Sequence, residues 1–240
     1  MGPETEDFRR RLYEGYVTTH AGSEPAERAV PSLDRNIRRR LPRDRNIRIL
    51  DIGCGQGYLL DVLREAGYPQ VSGVDVSAEQ VEIARLRGLD VTQGDVFDFL
   101  REHLGGFDAI TAVDLIEHFD KADVLRLLDD VARALKPGGI LVGQVPNGES
   151  PFGGRYIYGD FTHGTAFTQR SIAQVLHATG FTEVRSFPVE PAVHGLSSAL
   201  RMVVWKVLAT AYKTALVVET GVLSGHIVTQ NLVFAGRTRR

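Results

Sequence analysis

Four acidic residues, each at the end of a short apolar run, are the feature of this chain best suited to chemistry. They are Asp51, Asp75, Asp95 and Asp114. If the runs are parallel strands, their carboxyl ends meet at one edge of a sheet, where open α/β sheets bind ligands. The spacing therefore predicts a site lined by carboxylates, suited to a ligand that carries positive charge or hydroxyl groups.

Three alternate glycines, Gly53, Gly55 and Gly57, follow the first run and precede a helical pattern. Glycine allows a tight turn and lets a ligand lie against bare backbone. A phosphate ligand is disfavoured, because Asp51 would repel it and because position 58 is Tyr rather than the Gly or Ala of dinucleotide-binding loops. The loop also lacks the Lys-Ser or Lys-Thr pair that binds triphosphates.

The next acidic residue, Asp75, stands 18 residues after Gly57. An acidic residue roughly 20 positions beyond a glycine loop binds ribose hydroxyls in nucleotide-binding sheets. A ligand with a ribose, an adenine and a positive charge but no phosphate fits these residues, and S-adenosylmethionine has those properties. The sequence therefore predicts S-adenosylmethionine as the ligand.

Over about residues 47–189 and the last strand, the chain resembles the class I S-adenosylmethionine-dependent methyltransferases. The segments that carry the resemblance are Ile49–Gly57, Asp75, Gly94-Asp95-Val96, Phe107-Asp108-Ala109, Glu117-His118-Phe119 and Leu135-Lys136-Pro137-Gly138-Gly139. These motifs are specific for the superfamily and say much less about the substrate.

The resemblance implies a role for each residue of the cofactor site. Asp51 and the three glycines would face the methionine end of the cofactor, and Asp75 would hold the ribose. Val76 would flank the adenine, Asp95 would bond its exocyclic amine, and Val96 would pack against the ring. A further carboxylate, Asp114, would lie near the methionine moiety or the acceptor.

The acceptor is predicted from segment 151–168, which is rich in aromatic and hydrogen-bonding residues and suits a saccharide. His163 is the leading general base, because histidine titrates near neutral pH; His118 and Asp160 are the other catalytic candidates. The segment resembles a branch of methyltransferases associated with polysaccharide biosynthesis, in which an Asp-Phe-Thr-His run precedes a Phe-Thr helix start. We therefore expect O-methylation of a saccharide hydroxyl, with a merely structural His163 as the alternative.

The run from Asp114 to His118 supports a different acceptor. It resembles the acidic-x-x-Glu-His segment of ubiquinone-pathway O-methyltransferases, some of which bind a divalent metal there. Asp114, Glu117 and His118 would then hold Mg²⁺, which oxygen ligands favour, and the acceptor would be a phenol or quinol. Alternatively, Glu117 and His118 only open the next helix and contact the cofactor. A hypothesis of another class is a non-catalytic S-adenosylmethionine-binding protein.

The elements that must position these residues alternate short strands with helices, as in a doubly wound parallel sheet. We predict strands over 47–52, 71–75, 90–92, 107–113, 140–146, 181–189 and 227–235, and helices over 58–66, 78–87, 96–104, 121–135 and about 169–178. This is a Rossmann-like seven-strand α/β domain over residues 47–240. Residues 1–46 are predicted to form a helical N-terminal lid.

The charge distribution argues against a nucleic-acid partner. The net charge of −2 divides into −10 for residues 49–190 (11 basic, 21 acidic), +3 for residues 1–48 (11 basic, 8 acidic) and +5 for residues 191–240 (6 basic, 1 acidic). A nucleic-acid enzyme would more often place positive charge around its working centre. The single Cys54 excludes a disulfide framework, and with the polar N-terminal run it favours a cytoplasmic protein.

A long apolar segment is predicted to form an inserted helix over about 196–218. On a helical wheel, a charge-free stripe is formed by Leu200, Val203, Val204, Val207, Ala211, Ala215 and Val218. We expect the stripe to pack on the main fold and a second apolar area, with Trp205 and Tyr212, to form a homodimer contact. The alternative is a basic helix lying on the inner membrane surface; its spread charges argue against a membrane span.

Overall fold

The computed structural model describes residues 30–189 and 195–239, in which seven strands form one sheet. The strands are β1 (Arg48–Ile52), β2 (Gln70–Asp75), β3 (Val91–Gln93), β4 (Phe107–Val113), β5 (Leu135–Pro146), β6 (Thr182–Pro188) and β7 (Asn231–Arg237). Their order is β3-β2-β1-β4-β5-β7-β6. Strands β1 to β5 are parallel, and β7 runs antiparallel between β5 and β6. The predicted fold class is confirmed.

Helices connect the strands and cover the sheet. They are α1 (Val30–Asn36), α2 (Tyr58–Glu65), α3 (Ala78–Leu86), α4 (Val96–Glu102), α5 (Lys121–Ala134), α6 (Gly153–Ile157), α7 (Gln169–Ala178) and α8 (Leu196–Thr220), with short 3₁₀ helices at Arg38–Arg40 and Ile116–His118. Side chains at their N-termini cap several of them: Ser77, Asp95, Asp120 and Thr168 each accept a bond from a first-turn amide.

Alternate residues of each strand face opposite apolar layers. In β1, Leu50 and Ile52 belong to the layer that contains α4, α5 and α7, whereas Ile49 belongs to the layer that contains α1 and α2. Since both faces of the sheet are covered, the strand interiors are buried and only the strand ends reach solvent. Ligand chemistry is thereby confined to the edge where the strands end.

The predicted element boundaries differ from the structure at two strands beside the site. β5 begins at Leu135 rather than 140, directly after α5, because Phe107 of β4 pairs with Leu135 ahead of a bulge. β7 begins at Asn231 rather than 227, because the buried Asn147 side chain donates to the carbonyls of Ile227 and Thr229. These bonds hold residues 227–230 against the end of β5 outside the ladder.

The described part of the N-terminal segment packs into the main core. Leu33, Ile37 and Leu41 are buried in the layer with α2. Residues 1–29 of the predicted lid lie outside the described residues, and the assignment of 1–46 as a lid stays a prediction. Of the helices that the structure describes, none is long and apolar enough to cross a membrane.

A close contact between β5 and β7 yields a test of the packing. Gly143 faces the ring of the fully buried Phe234, and a Cβ at this position would overlap that ring and approach the Ala112 carbonyl oxygen to 2.7 Å. Gly143→Ala should therefore lower the free energy of unfolding by about 2–3 kcal/mol, since overpacking strains a dense core. Urea denaturation would measure the change.

Gly94→Ala is the matched control, because nothing lies within 4 Å of its added Cβ. This control should leave the free energy of unfolding almost unchanged. Adding Phe234→Leu to Gly143→Ala should recover part of the lost stability, because the smaller side chain leaves room for the new Cβ. A Gly143→Ala protein as stable as the control would contradict this packing.

Candidate active site

The glycine loop after β1 uses its own amides internally. The N–H groups of Gly53 and Cys54 both donate to the Val74 carbonyl, at 2.8 and 3.2 Å. The N–H of Gly55 donates to Oδ2 of Asp75 at 2.8 Å. Because these amides are already bonded, they are not available as a phosphate cradle, in agreement with the argument made from the sequence.

The same loop depends on glycine for its shape. Gly53, Gly55 and Gly57 have φ of 65°, 52° and 79°, in the left-handed region that other residues rarely adopt. A Cβ on Gly53 would lie 2.7 Å from Leu115 Cδ1. The loop is therefore packed against the segment that follows β4, which joins two parts of the site.

Asp75 at the end of β2 is positioned to accept further hydrogen bonds. Its Oδ2 accepts from Gly55 and its Oδ1 accepts from the Ser77 amide at 2.8 Å, and each carboxylate oxygen has a second lone pair. Burial raises the pKa of the Asp75 carboxyl. The neighbouring Val76 exposes 55% of its surface, which places an apolar group beside this carboxylate.

Asp95 follows β3 and caps α4. Both cap bonds go to Oδ1, which accepts from the Phe97 amide at 2.8 Å and the Asp98 amide at 3.2 Å. The residue is exposed and the adjoining Val96 is half-buried against the core. At the position predicted to bind the adenine, Asp95 therefore serves as a helix cap, and its side chain is still accessible.

Asp51 lies within β1, below the glycine loop, and is buried. The Thr111 hydroxyl of β4 donates to its Oδ1 at 2.7 Å. Burial, opposed by this bond, raises the pKa of Asp51 from 3.8 to about 7, and the nearby Asp75 carboxylate adds to the effect. Thr111 was not identified from the sequence, because it stands inside an otherwise apolar strand.

Asp114 follows β4 in a left-handed backbone conformation, with φ of 49°, that is uncommon outside glycine. The Gln144 amide of β5 donates to both of its carboxylate oxygens, at 3.2 and 3.1 Å. Solvent reaches the side chain, but surrounding protein atoms raise the pKa of Asp114 to about 6. Gln144 is a second site residue that the sequence did not reveal.

Glu117, in the 3₁₀ helix after β4, is fully buried. Within the described parts of the chain, neither of its carboxylate oxygens has a hydrogen-bond partner. Burial and the nearby Asp114 raise the pKa of Glu117 well above 4.5. A buried carboxyl without hydrogen bonds is costly, so this group needs either a proton or a cation.

The loop that follows α6 brings the predicted catalytic residues to Glu117. The amides of Gly164 and Thr165 donate to the Glu117 carbonyl at 2.8 and 3.0 Å. This places His163 beside His118, with ring centroids 4.8 Å apart. His163 Nδ1 also lies 3.1 Å from the Tyr156 carbonyl oxygen.

His118 is held by a chain of hydrogen bonds. Its Nδ1 lies 2.7 Å from the Thr162 hydroxyl, which donates to Asp160 Oδ1 at 2.6 Å. Burial, reinforced by His163, lowers the pKa of His118 to about 4, so its imidazole is neutral at pH 7. The predicted residues Asp160, His118 and His163 thus occupy one site, and Thr162 connects two of them.

Glu117, His118 and His163 also form a cluster of potential metal ligands, since one ligand atom from each lies within 4.8 Å of the others. Asp114, predicted to be a ligand, falls outside this cluster. It is the partner of Gln144 instead.

Comparison with known proteins gives one family. The family model described as "Methyltransferase domain" matches residues 26–186. The chain is similar to proteins named ubiquinone biosynthesis O-methyltransferase. It is 39% identical to the one from Xanthomonas oryzae over 100 residues, which cover 39% of this chain and 41% of that relative. It is 33% identical to the one from Xylella fastidiosa over 133 residues, which cover 53% of this chain and 52% of that relative. The chain spans about half or less of the length of these relatives.

Solved structures show the same fold. A SAM-dependent methyltransferase from Archaeoglobus fulgidus superposes with a TM-score of 0.68 at 20% identity, covering 93% of this chain and 98% of that one. A SAM-dependent methyltransferase from Thermotoga maritima gives 0.64 at 21% identity, covering 99% and 96%.

The raised pKa of Asp51 gives a stability prediction for the ligand-free protein. A carboxyl whose pKa is higher in the folded than in the unfolded chain destabilises the fold as pH rises through that interval, here from 3.8 to about 7. Asp51→Asn removes this effect while keeping the acceptor for Thr111. The interval from 3.8 to about 7 corresponds to about 4 kcal/mol, so at pH 8 the melting temperature of Asp51→Asn should exceed that of wild type by roughly 8–16 °C.

At pH 4.5 the difference should be much smaller, as scanning calorimetry at both values would show. Asp129→Asn, on the exposed side of α5, is the control and should change the melting temperature at neither pH. A lower melting temperature for Asp51→Asn at pH 8 would contradict the buried, destabilising charge.

Proposed function

Because the chain belongs to the methyltransferase-domain family, we propose that it transfers a methyl group from S-adenosylmethionine to the hydroxyl of a phenol or quinol. The observation that carries the proposal is the pair of imidazoles, His118 and His163, 4.8 Å apart beside the strand ends that bear the carboxylates. The relatives named ubiquinone biosynthesis O-methyltransferase support this acceptor over the saccharide favoured by the sequence alone.

The strand-end residues fit S-adenosylmethionine, which supplies a methyl group bonded to a cationic sulfonium. Buried carboxylates with raised pKa values suit a cation, and a glycine loop with occupied amides suits a ligand without phosphate. We assign the ribose to Asp75 and the adenine to Val76, Asp95 and Val96. We assign the methionine end of the cofactor to Asp51 and the glycine loop.

The acceptor hydroxyl must lose its proton during transfer, and His163 is the better placed base. A phenol has a pKa of about 10, so a base that holds a proton near neutral pH is needed. His118, whose pKa is lowered to about 4, is a weak proton acceptor. We therefore assign proton removal to His163 and the positioning of the acceptor to His118.

Exposed aromatic rings around His163 suit a flat, apolar acceptor. Phe152, Tyr158 and Phe161 expose 58%, 85% and 83% of their surfaces. Rings of this kind stack on an aromatic acceptor and exclude water from its hydroxyl. The saccharide is the second candidate, since the polar Arg155 and Asp160 stand among the same rings and would bond a sugar's hydroxyls.

An acceptor panel tests the function. Purified protein with S-adenosylmethionine should methylate catechols or dihydroxybenzoates, detected by mass spectrometry, and should leave simple methyl glycosides unmodified. Methylation of the glycosides alone would establish the saccharide instead. Cofactor binding by calorimetry without transfer to any acceptor would indicate a non-catalytic binding protein.

His163→Ala should lower turnover by about 10²–10⁴-fold, the usual contribution of a general base, without weakening cofactor binding. His177→Ala is the matched control, because His177 Nδ1 also lies 3.1 Å from a backbone carbonyl, that of Phe181, at the opposite edge of the sheet. Equal turnover in the two variants would remove His163 from the mechanism.

As an alternative to a free His163 base, we also propose a divalent cation site at Glu117, His118 and His163, since an imidazole nitrogen that ligates a cation cannot take the acceptor's proton. The buried carboxylate oxygens of Glu117, which lack partners among the described residues, are the observation that points to a cation. Oxygen ligands alone would favour Mg²⁺, as predicted from the sequence, but two imidazoles with one carboxylate favour Mn²⁺, Fe²⁺ or Zn²⁺. When bound, such an ion would lower the pKa of an acceptor hydroxyl.

Mn²⁺ binding, measured by electron paramagnetic resonance, tests this site independently of activity. Glu117→Gln should weaken binding by more than the roughly 10–100-fold cost of an outer-shell change, and Asp114→Asn by less. Mn²⁺ should also raise the melting temperature of wild type. If Asp114→Asn lost Mn²⁺ as completely as Glu117→Gln, the ligand set predicted from the sequence would be correct.

A further inference from the structure

Helix α8 presents an apolar face to solvent. It has 25 residues and is therefore about 37 Å long. Leu200, Val203, Val207 and Val218 expose 65%, 59%, 65% and 81% of their surfaces. A contiguous apolar surface of this length is rare on a monomer that stands alone and marks an interaction site.

The exposed face is the charge-free stripe, which we call the outer stripe. It comprises Leu200, Val203, Val204, Val207, Ala211, Ala215 and Val218, all exposed. The opposite side, with Met202, Trp205, Ala209, Tyr212 and Leu216, is half-buried. The expectation that the stripe packs on the main fold is therefore wrong. Thr214, which lies beside the stripe, donates its hydroxyl to the Thr210 carbonyl at 2.9 Å, so it adds no unsatisfied polar group.

Basic side chains flank the outer stripe. At ~100° per residue, Arg201 lies about 100° from the centre of the stripe on one side, and Lys206 and Lys213 lie about 120–145° from it on the other. The helix carries one acidic residue, Glu219, in its last turn. When an apolar stripe lies in a membrane interface, the long stems of nearby lysine and arginine side chains can reach up to the headgroups.

The helix leaves the sheet at the same edge as the active site. Before it, Pro188 of β6 pairs with Leu232 of β7; after it, Asn231 of β7 pairs with Pro146 of β5. Pro146 lies at the carboxyl end of β5. Leu223, just after the helix, exposes 85% of its surface.

A second copy of the chain is a less suitable occupant. The C-terminal half of the stripe consists largely of small side chains, Ala211 and Ala215, so a helix pair would bury little surface there. Stable interfaces bury at least about 1,200 Å². Such a pair would also leave Tyr158 and Phe161, exposed on the loops at the same sheet edge, uncovered.

We propose that the outer stripe of α8 docks on the surface of an anionic lipid bilayer. The stripe lies in the interface, and Arg201, Lys206 and Lys213 bind the anionic headgroups. The active-site edge then faces the membrane. Docking goes beyond the proposed methyl transfer and does not depend on which acceptor is used.

Vesicle flotation with the full chain tests the docking. Wild type should float with phosphatidylglycerol-containing vesicles and less with pure phosphatidylcholine, and the binding should weaken as salt increases. Leu200→Asp with Val207→Asp should abolish flotation, because it places two charges in the stripe. Lys206→Gln with Lys213→Gln should weaken binding about fivefold per lysine.

The matched control is Leu86→Asp with Leu104→Asp, which places two aspartates on leucines that expose 82% and 63% of their surfaces at the opposite sheet edge. This variant should float like wild type. Calorimetric binding of S-adenosylmethionine should be equal in all variants, so a failure of the proposed function would be recognised separately.

Two results would overturn the proposal. One is wild type remaining in the lower fractions with every vesicle. The other is a protein that does not float and sediments as a dimer, but becomes a monomer when the stripe carries aspartates. In that case the outer stripe would be an interface between two copies of the chain.

Discussion

The site is built around negative charge removed from water. A parallel sheet with both faces covered brings its strand ends to one edge, and this chain places a carboxylate at each of four of them. Burial raises the pKa of Asp51 and Asp75 beside the glycine loop, and that of Glu117 beyond β4. The side chains that donate hydrogen bonds to Asp51 and Asp114 carry no positive charge, since they are those of Thr111 and Gln144. A proton or a cationic ligand can neutralise these groups, and the proposed cofactor and the proposed metal would each supply positive charge.

The glycine loop and the loop that carries His163 are joined through the segment after β4. Leu115 packs where a side chain on Gly53 would stand, and the Glu117 carbonyl accepts two amides from the loop that carries His163. A shift of this segment would move the glycine loop and the acceptor loop together. The strained backbone at Asp114, between β4 and the 3₁₀ helix, is the point at which the chain turns to make both contacts.

The fold was predictable because its signals are local. The span of β4 was predicted to the residue, Phe107–Val113, since a β-branched run is bounded by glycines and an acidic residue. The carboxylates were found for the same reason, as each lies at or near the carboxyl end of its own strand. The cluster of Glu117 with His163 was not, because 46 positions separate the two residues and backbone bonds bring them together. Thr111 and Gln144 were missed because a polar residue inside a strand has no distinctive spacing.

The position of helix α8 between β6 and β7 shows how this fold accommodates a long insertion. The chain enters the insertion beside Val189, whose amide donates to the Thr229 hydroxyl at 3.2 Å, and returns to the sheet at that same point. The 39 residues from 190 to 228 therefore close a loop between neighbouring antiparallel strands, in the place of an ordinary hairpin turn. Closure entropy grows only logarithmically with length, so replacing a four-residue turn by this segment costs about 2 kcal/mol. The antiparallel pair of β6 and β7 therefore carries this long insertion at a modest cost in chain entropy.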